Sequence, residues 1–276
     1  MKLSYFTMPL HPPTRHYLET LNEDRAAFLL ADELGFHEGF VGEHVTDRAE
    51  TVTSCLMFLA SLAYQTKNIR LGSGTVNLPN AHPATVAAKV ALLDHMLKGR
   101  FLFGLSPGGL RSDFEVFGNL DRDRKAMFNE AIEHVLAIWS TEAPYDIKGE
   151  FWDISTRKTM DLDIGQGIIM TPFQQPHPPI AVASMSPFSE SVTNAARRGW
   201  SIISANFLQP VWVASHWQKL CEGWDSPGLP PDPGSRRLVK RIFGADEKKT
   251  ARPPAKNDDW HYGHGYNRLL PKTNAN

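Results

Sequence analysis

The chain has 276 residues, of which 42% are hydrophobic, and its 29 Lys and Arg against 30 Asp and Glu give a net charge of -1. These values predict a globular protein with one large core or two ordinary ones. They argue against a nucleic-acid-binding protein, because the densest basic cluster, at residues 236–241, encloses Leu238 and Val239 and is more simply a strand with solvated ends.

The two cysteines, Cys55 and Cys221, form neither a CxxC pair nor a disulfide framework, which is typical of a reducing compartment. The first residues lack the apolar core of a signal peptide, and no run approaches the roughly 20 apolar residues of a membrane span. We therefore expect a cytoplasmic protein.

Short apolar runs alternate along the chain with longer segments of helical period. The predicted strands are residues 3–8, 39–42, 69–76, 101–105, 180–183, 202–205 and 238–243. The first predicted helix runs from about residue 22 to Gly35. The second starts near residue 51, the third starts at Pro83, and the fourth spans 122–139. The fifth ends at residue 197, and the sixth spans 211–224. In the first helix, Ala27, Leu30, Ala31 and Leu34 share the predicted core face.

Alternating strands and helices, with strands too apolar to face water, predict a parallel sheet covered by helices. Either a doubly wound open sheet or a (β/α)8 barrel satisfies this pattern. The first strand is not followed by GxGxxG, which disfavours a dinucleotide-binding open sheet. Residues 143–179 break the rhythm, and we interpret them as an insertion after the fourth helix.

Small and polar residues follow several of the predicted strands, and a barrel would collect them at one end. Glu43 and His44 follow the second strand. A histidine there is a candidate acid–base group, with Glu43 orienting it or binding a ligand, although a loop histidine that caps the next helix fits equally. Asn77 follows the third strand, and Ser106 begins the Ser-Pro-Gly-Gly stretch after the fourth.

Three of these stretches have both a binding and a purely structural interpretation. Residues 72–75, Gly-Ser-Gly-Thr, either let a flat ligand lie on the backbone or mark tight packing. Residues 106–109 either cradle an anion or form an ordinary turn. Ser184, Met185 and Ser186 either seat a phosphate at a helix N-terminus or supply a serine cap before Pro187. The histidine spacings predict no metal site, and no GxSxG elbow is present.

Together these stretches resemble the bacterial luciferase-like flavin monooxygenases. The residues that carry the resemblance are Gly35-Phe36, Val41-Gly42-Glu43-His44, Leu71-Gly72 through Leu78-Pro79, Ala81-His82-Pro83, Leu93-Asp94, Gly99-Arg100-Phe101, Phe103-Gly104 and Phe117-Gly118. MPLHPP, GEFWDI, QQPHPPIAVASMSP and RRGWSIISANF are similar to the limonene monooxygenase-like branch. The similarity covers about residues 1–245.

The resemblance implies a single TIM (β/α)8-type barrel domain over residues 1–276, binding FMN at the carboxyl ends of its strands. In this family, reduced FMN from a separate reductase reacts with O2 to give a flavin C4a-hydroperoxide. That species oxygenates a small apolar substrate such as a terpene, alkane or aldehyde, and the barrel keeps water away from it. A homodimer is also implied.

Site roles follow from the resemblance position by position. His44 takes the place of the family's acid–base group, with Glu43 beside it. Gly74-Thr75 takes the place of a non-proline cis peptide beneath the flavin ring, with Asn77 near the pocket mouth. Ser106 stands where luciferases carry a thiol.

The phosphate contacts are predicted less directly, because Pro107 replaces the arginine that binds phosphate in luciferases. The remaining candidates are Arg124 and the amides and hydroxyls of Ser184, Met185 and Ser186.

The C-terminal part departs from the family pattern. Residues 246–276 are lid-like or an incomplete tail, and no eighth strand is visible, so the predicted barrel has an incomplete C-terminal end. Two alternatives to an FMN monooxygenase stay open. One is a deazaflavin-dependent hydride-transfer enzyme, because that group shares the barrel and the histidine after the second strand. The other is a truncated flavin-binding protein without activity, because of the missing eighth strand.

Overall fold

The computed structural model describes residues 2–205, 208–224, 232–240 and 246–247. Residues up to 180, without 109–111, form one compact unit, and residues 109–111 with the described residues after 180 form a second. The prediction of a single domain over residues 1–276 stays a prediction.

The first unit contains a parallel sheet of β1 (Ser4–Thr7), β2 (Glu38–Val41), β3 (Arg70–Ser73), β4 (Val76–Asn77) and β5 (Phe101–Ser106). Its order is β1-β2-β3-β5, and β4 pairs with β5. Every residue of β2 and β5 is buried, which explains why β5 is apolar without alternation up to Ser106, while β2 begins with the buried Glu38. The predicted third strand is interrupted at Gly74-Thr75, whose peptide bond is cis, as the resemblance implies.

The helices of this unit are α1 (Tyr17–Glu33), α2 (Cys55–Leu62), α3 (Pro83–Met96), α4 (Arg111–Val116) and α5 (Arg124–Ser140). Side chains cap three of them: Ser54 accepts from the Met57 N–H, His82 from the Ala84 N–H, and Asp123 from the N–H groups of residues 125 and 126. Helical spacing in the sequence also predicts core faces for the other long helices, and all of these residues are buried: Cys55, Phe58, Leu59 and Leu62 for α2, Val86, Val90, Leu93 and Leu97 for α3, and Ala131, Val135 and Ile138 for α5. The short helix α4 was not predicted.

The predicted core face of α1 is wrong. Leu30 and Leu34 are exposed, and the buried residues of the helix are Thr20, Asp24, Phe28 and Ala31. The helix also begins at Tyr17, five residues before its predicted start. The buried Asp24 carboxylate contacts Nε2 of His11 at 3.1 Å, so a polar pair occupies a place that hydrophobic periodicity assigns to an aliphatic side chain.

Residues 143–179 contain one short antiparallel hairpin, β6 (Asp146–Ile147) with β7 (Ile154–Ser155), followed by turns. The hairpin is attached to α5 through Glu130, whose carboxylate accepts from the backbone N–H groups of Glu150, Phe151 and Trp152. Further along, Gln174 is held by Asp94 of α3, which accepts from its backbone N–H and its side-chain amide, both at 2.7 Å. Single buried or half-buried carboxylates therefore tie this segment to the helices.

In the second unit, β8 (Ile180–Ser184), β9 (Ser201–Ser204) and β10 (Arg236–Leu238) are parallel in that order. The helices α6 (Glu190–Arg197) and α7 (Pro210–Gly223) pack together. The last strand begins at Arg236 rather than at the predicted Leu238, because residues 236–238 pair with β9. Residues 241–245 and the tail after residue 247 lie outside the described residues, as would an eighth strand.

The predicted α/β class with parallel strands is confirmed. Closure into a barrel and an incomplete C-terminal end stay predictions. Among the described residues, no helix combines the length and apolarity needed to cross a lipid bilayer.

Candidate active site

The carboxyl ends of β2, β4 and β5 bring polar residues of the first unit together. His44 follows β2, Asn77 ends β4 and Ser106 ends β5, and Thr75 lies just before β4. Because parallel strands end at the same edge of a sheet, residues far apart in sequence become neighbours there.

His44 is held by Asp113 of α4. The Asp113 Oδ2 atom lies 3.0 Å from Nδ1 of His44. Oδ1 of Asp113 accepts from the backbone N–H groups of Val45 and Thr46 and from the Thr46 hydroxyl. With its carboxylate fixed in this way, Asp113 sets the orientation of the imidazole ring.

The other nitrogen of His44, Nε2, lies 3.3 Å from Oε2 of Glu50. Burial alone would lower the pKa of His44, but the Asp113 hydrogen bond and the negative charges of Glu50 and Asp113 outweigh it and raise the pKa. Burial raises the pKa of Glu50, and His44 offsets part of that effect. For Asp113, burial is outweighed by hydrogen bonds from His44 and Thr46, which lower its pKa.

Glu43 does not orient His44 among the described contacts, and its carboxylate binds the protein instead. Oε2 accepts from the backbone N–H and from the thiol of Cys55, both at 3.0 Å, and Oε1 accepts from the Asn77 N–H at 3.1 Å. Burial, followed by the charge of Glu43, raises the pKa of the Cys55 thiol well above its ordinary value. Glu43, which follows the end of β2, is therefore hydrogen-bonded to the first residue of α2 and to Asn77 of β4.

Thr75, Ser106 and Asn77 form a buried network. The Ser106 hydroxyl lies 2.9 Å from Asn77 Oδ1 and 2.7 Å from the Thr75 hydroxyl, and it accepts from the Gly108 N–H at 3.1 Å. In stretch 106–109 the Gly108 N–H is therefore bonded within the protein, and Gly108 has φ +82°.

The two glycines of residues 72–75 are needed for packing against aromatic side chains. A Cβ atom on Gly72 would lie 2.3 Å from Cε1 of Phe40, and one on Gly74 would lie 3.0 Å from Cε2 of Phe6. The interpretation that a flat ligand lies in the space left by these missing side chains is therefore wrong on the side where a Cβ would project. Protein rings fill that space.

Arg124, a predicted phosphate ligand, is the first residue of α5. Its guanidinium carbon lies 3.9 Å from the ring centre of the buried Phe114. Stacking of this kind holds the cation over an aromatic face and fixes its direction.

In the second unit, Ser184, Met185 and Ser186 precede α6, but they do not form its N-terminus. The helix begins at Glu190 with Ser189 as its N-cap, so both helix-terminus interpretations of 184–186 are wrong. Ser184 is buried, whereas Met185 and Ser186 are exposed.

His216 of α7 is hydrogen-bonded to Ser184 and Ser186. Its Nε2 atom lies 2.9 Å from the Ser186 carbonyl and 3.2 Å from the Ser184 hydroxyl, and its Nδ1 atom lies 2.8 Å from the Ser204 hydroxyl. Since a carbonyl only accepts, Nε2 carries the hydrogen. Ser215 of the same helix accepts from the Phe188 N–H at 2.9 Å.

A cavity of about 180 Å³ lies beside His44 in the first unit. Its polar lining includes Glu43, His44, Asn77 and Asp113. Its apolar lining consists of Val45, Leu56, Val76, Val86 and Phe117, with small residues between them. Polar side chains, among them Lys89, Thr85 and Asn80, complete the lining, so the predicted acid–base residue borders a small space with both polar and apolar walls. Among the described residues, no group of three or more His, Cys, Asp or Glu side chains is arranged to hold a metal ion.

Sequence reasoning missed three polar residues of these clusters: Asp113, Glu50 and His216. Asp113 lies in a helix too short for a periodic signal, and Glu50 lies in an irregular loop. His216 lies within a predicted helix, where only its position on the buried face could have marked it.

Comparison with known proteins gives a consistent result. Residues 1–248 match the model of the luciferase-like monooxygenase family. The chain is 30% identical over 267 residues to 2,5-diketocamphane 1,2-monooxygenase 2 of Pseudomonas putida, covering 93% of this chain and 71% of that protein. It is 30% identical over 251 residues to limonene 1,2-monooxygenase of Rhodococcus erythropolis, covering 90% and 61%.

A third relative is the oxygenase component of flavin-dependent trigonelline monooxygenase of Acinetobacter baylyi, at 27% identity over 239 residues, covering 85% of this chain and 62% of that protein. Among solved structures, the oxygenating constituent of 3,6-diketocamphane monooxygenase of Pseudomonas putida, in complex with FMN, superposes with a TM-score of 0.87. It is 24% identical and covers 99% of this chain and 75% of that one. The resemblance stated from sequence motifs is confirmed, and the chain belongs to the luciferase-like monooxygenase family.

Proposed function

We propose that this protein is an FMN-dependent monooxygenase that uses reduced FMN and O2 to oxygenate a small apolar compound. The observation that carries the proposal is His44, which is hydrogen-bonded to Asp113 at the wall of a small cavity in a chain of this family. A histidine fixed at one nitrogen and bordering a pocket has the geometry of a proton-transfer group.

The size of the cavity supports a small substrate. Sites for drug-sized ligands measure about 300–1,000 Å³, whereas this one measures about 180 Å³. A terpene, a short alkane or aldehyde, or a compact ketone matches a space of this size better than an extended molecule does.

The residues at the strand ends fit a flavin. Asn80 is one of the residues that line the cavity, and its buried Oδ1 atom has no hydrogen-bond donor among the described residues, which leaves one acceptor unpaired next to the cavity. Reduced FMN would supply the electrons that activate O2. The protein would supply Thr75, Asn77 and Ser106 beside the ring, and His44 as the group that holds or moves a proton.

Two sets of residues remain candidates for the FMN phosphate. Arg124 offers a directed positive charge in the first unit. In the second unit, Met185 and Ser186 are exposed and offer backbone amides, and Ser186 also offers a hydroxyl. Ser184 is buried against His216, so we expect it to position this segment.

The direct test is incorporation of oxygen from ¹⁸O₂. The protein is mixed with photoreduced FMN, ¹⁸O₂ and a panel of terpenes, cyclic ketones, alkanes and aldehydes, and products are analysed by mass spectrometry. One ¹⁸O atom per product molecule is expected. Oxidised FMN without reductant is the control. If FMN binds and no compound on the panel gains ¹⁸O, the monooxygenase proposal fails in favour of a flavin-binding protein.

The same preparation tests hydride transfer. Reduced deazaflavin and an oxidised acceptor are incubated without O2, and reoxidation of the deazaflavin is followed by absorbance. The monooxygenase proposal expects no enzyme-dependent reoxidation. Rapid reoxidation in this assay, together with no ¹⁸O incorporation, would establish the hydride-transfer alternative.

We also propose that a separate reductase supplies the reduced FMN and that this protein is cytoplasmic. The name of the trigonelline relative, an oxygenase component, supports a two-component system for that protein. We expect this chain to bind FMN without reducing it when NADH or NADPH is added. Reduction by the purified chain alone would contradict the two-component proposal.

We also propose a homodimer formed through α2 and α3. These helices pack together, and three large side chains on them or next to them are exposed: Met57 on α2, Leu92 on α3, and Tyr64 two residues after the end of α2. Neighbouring exposed apolar groups of this kind are typical of an interface. Light scattering should give twice the mass of 30.9 kDa, and Met57→Glu should shift the protein to monomer. Leu162→Glu, at an exposed site in another segment, should leave the mass unchanged.

A further inference from the structure

Glu50 is a buried acid at the Nε2 face of His44. The residue is 7% exposed, and its Oε2 atom lies 3.3 Å from Nε2. No described group makes an aligned hydrogen bond to Oε2. A carboxylate removed from water in this way is costly unless a cation or a proton compensates it, and His44 is the partner in reach.

The backbone of Glu50 already has its own structural role. It forms an isolated antiparallel bridge with Leu10, and the neighbouring Ala49 carbonyl accepts from the His11 N–H at 2.8 Å. Neither contact uses the side chain. The carboxyl group is therefore not explained by the folding of this loop, and its one close polar neighbour is the imidazole.

The ionisable groups around His44 and Glu50 are mainly carboxylates. Asp113 of α4 and Asp47 of the same loop act on both His44 and Glu50, so three carboxyl groups face one imidazole. His11, on the segment paired with this loop, is turned toward Asp24. Asp113 is stabilised as an anion by its N–H and hydroxyl donors. Oε2 of Glu50 has no such donor among the described residues, so a proton between His44 and Glu50 lies within reach of both Nε2 and Oε2.

We propose that Glu50 is a positioning residue for His44 that shares the Nε2 proton across the 3.3 Å contact and completes an Asp113–His44–Glu50 row. In the transfer, the Nε2–H bond breaks and an Oε2–H bond forms. Imidazolium and carboxylate become imidazole and carboxylic acid, so charge and atoms balance without a further reactant. The inference deepens the proposed function, because His44 could then exchange a proton without a water molecule.

The test uses the full chain labelled with ¹⁵N-histidine, without FMN or substrate, so that it is independent of the proposed activity. The His44 signals are those that disappear in His44→Gln. In the wild-type protein, both ring nitrogens of His44 should carry hydrogen at neutral pH. Glu50→Gln should lower the titration midpoint of His44. Asp47→Asn is the matched control, because it removes a carboxylate of the same loop whose Oδ1 accepts from the Ala49 N–H, and its shift should be smaller.

The wild-type measurement keeps the test decisive if Glu50→Gln does not fold. A His44 that titrates at its ordinary midpoint in wild-type protein overturns the inference, and so does a shift from Asp47→Asn that equals the shift from Glu50→Gln. Where oxygenation is observed, Glu50→Gln should also move the pH profile of kcat/KM and lower kcat by about tenfold, with the KM for FMN unchanged. A rise in that KM with an unmoved profile would assign Glu50 to flavin binding and reject the proton-sharing role.

Discussion

The Ser106 hydroxyl donates a 2.9 Å hydrogen bond to Oδ1 of Asn77, and this bond determines the direction of its neighbours. Ser106 has a single proton, so the Thr75 hydroxyl must donate to Ser106 across 2.7 Å. The Gly108 N–H donates to the same oxygen. Thr75 is left with acceptor lone pairs only, and any further partner of Thr75 has to be a donor.

The Ser106 network predicts an order of stabilities. Ser106→Ala removes a partner from Asn77, Thr75 and Gly108 at once, so we expect a loss of about 2–3 kcal/mol in the free energy of unfolding. Thr75→Val removes one bond and keeps the shape, and should cost about 1 kcal/mol. Urea unfolding measures both. The control is Ser61→Ala, whose exposed hydroxyl bonds only its own helix. Equal losses in the two network variants would show that Ser106 is not the centre of this network.

His44 should make the stability of the protein depend on pH. Its pKa is raised in the folded state, chiefly because Asp113 and Glu50 outweigh the effect of burial. Such a group stabilises the fold fully below its unfolded pKa of about 6.5, and the contribution disappears as pH rises through the higher folded pKa. The stability difference between wild type and His44→Gln should therefore be larger at pH 5.5 than at pH 9.

Urea unfolding at the two pH values measures this difference. His16→Gln is the control, because His16 is exposed and makes no side-chain cap bond to α1. A difference that grows with pH would contradict the assigned charge state of His44.

Glu130 should hold residues 150–152 on α5. Its carboxylate accepts from three backbone N–H groups, which lower its pKa against the opposing effect of burial. Glu130→Gln replaces an acceptor-only group by one with a single acceptor oxygen, and should cost about 1–3 kcal/mol. Because folding lowers the pKa of Glu130, its contribution to the free energy of unfolding is present above the pKa of the unfolded state. The contribution is lost as pH falls through the pKa of the folded state.

Limited proteolysis at neutral pH measures the effect locally, since residues 148–153 should become cleavable in Glu130→Gln. The exposed Glu133 of the same helix gives the matched control, Glu133→Gln. Unchanged cleavage in both variants would show that the hairpin is held by other contacts.

Arg100 should not be replaceable by lysine. Its guanidinium donates to the carbonyls of Ala63, Thr66 and Ile69 and to the Thr66 hydroxyl, which satisfies carbonyls after the end of α2. Lysine has the charge but not the planar fork, so Arg100→Lys should cost about 2–3 kcal/mol. Arg15→Lys, at an exposed ion pair with Glu23, should cost less than about 1 kcal/mol. Thermal unfolding compares the two, and similar melting points would refute the role of Arg100.

Much of the fold could be predicted from the sequence because its signals are local. The apolar faces of α2 and α3 follow from spacing along one helix, and Gly35, with φ +74°, marks the end of α1. The place of His44 after a strand and the Gly74-Thr75 step follow from short motifs of the family. Local signals failed where a polar pair replaces an aliphatic contact, as in the burial of Asp24 against His11.

The sequence by itself determined the main parallel strands, the buried faces of α2, α3 and α5, and that His44 stands at the end of a strand. Only the tertiary structure decided its partners. Asp113 lies 69 residues further along the chain, and neither it nor Glu50 carries a periodic signal. Glu43, the carboxylate adjacent in sequence, instead binds Cys55 and Asn77. Periodicity records which side of an element is buried, whereas a hydrogen bond depends on where the ends of separate elements meet in space.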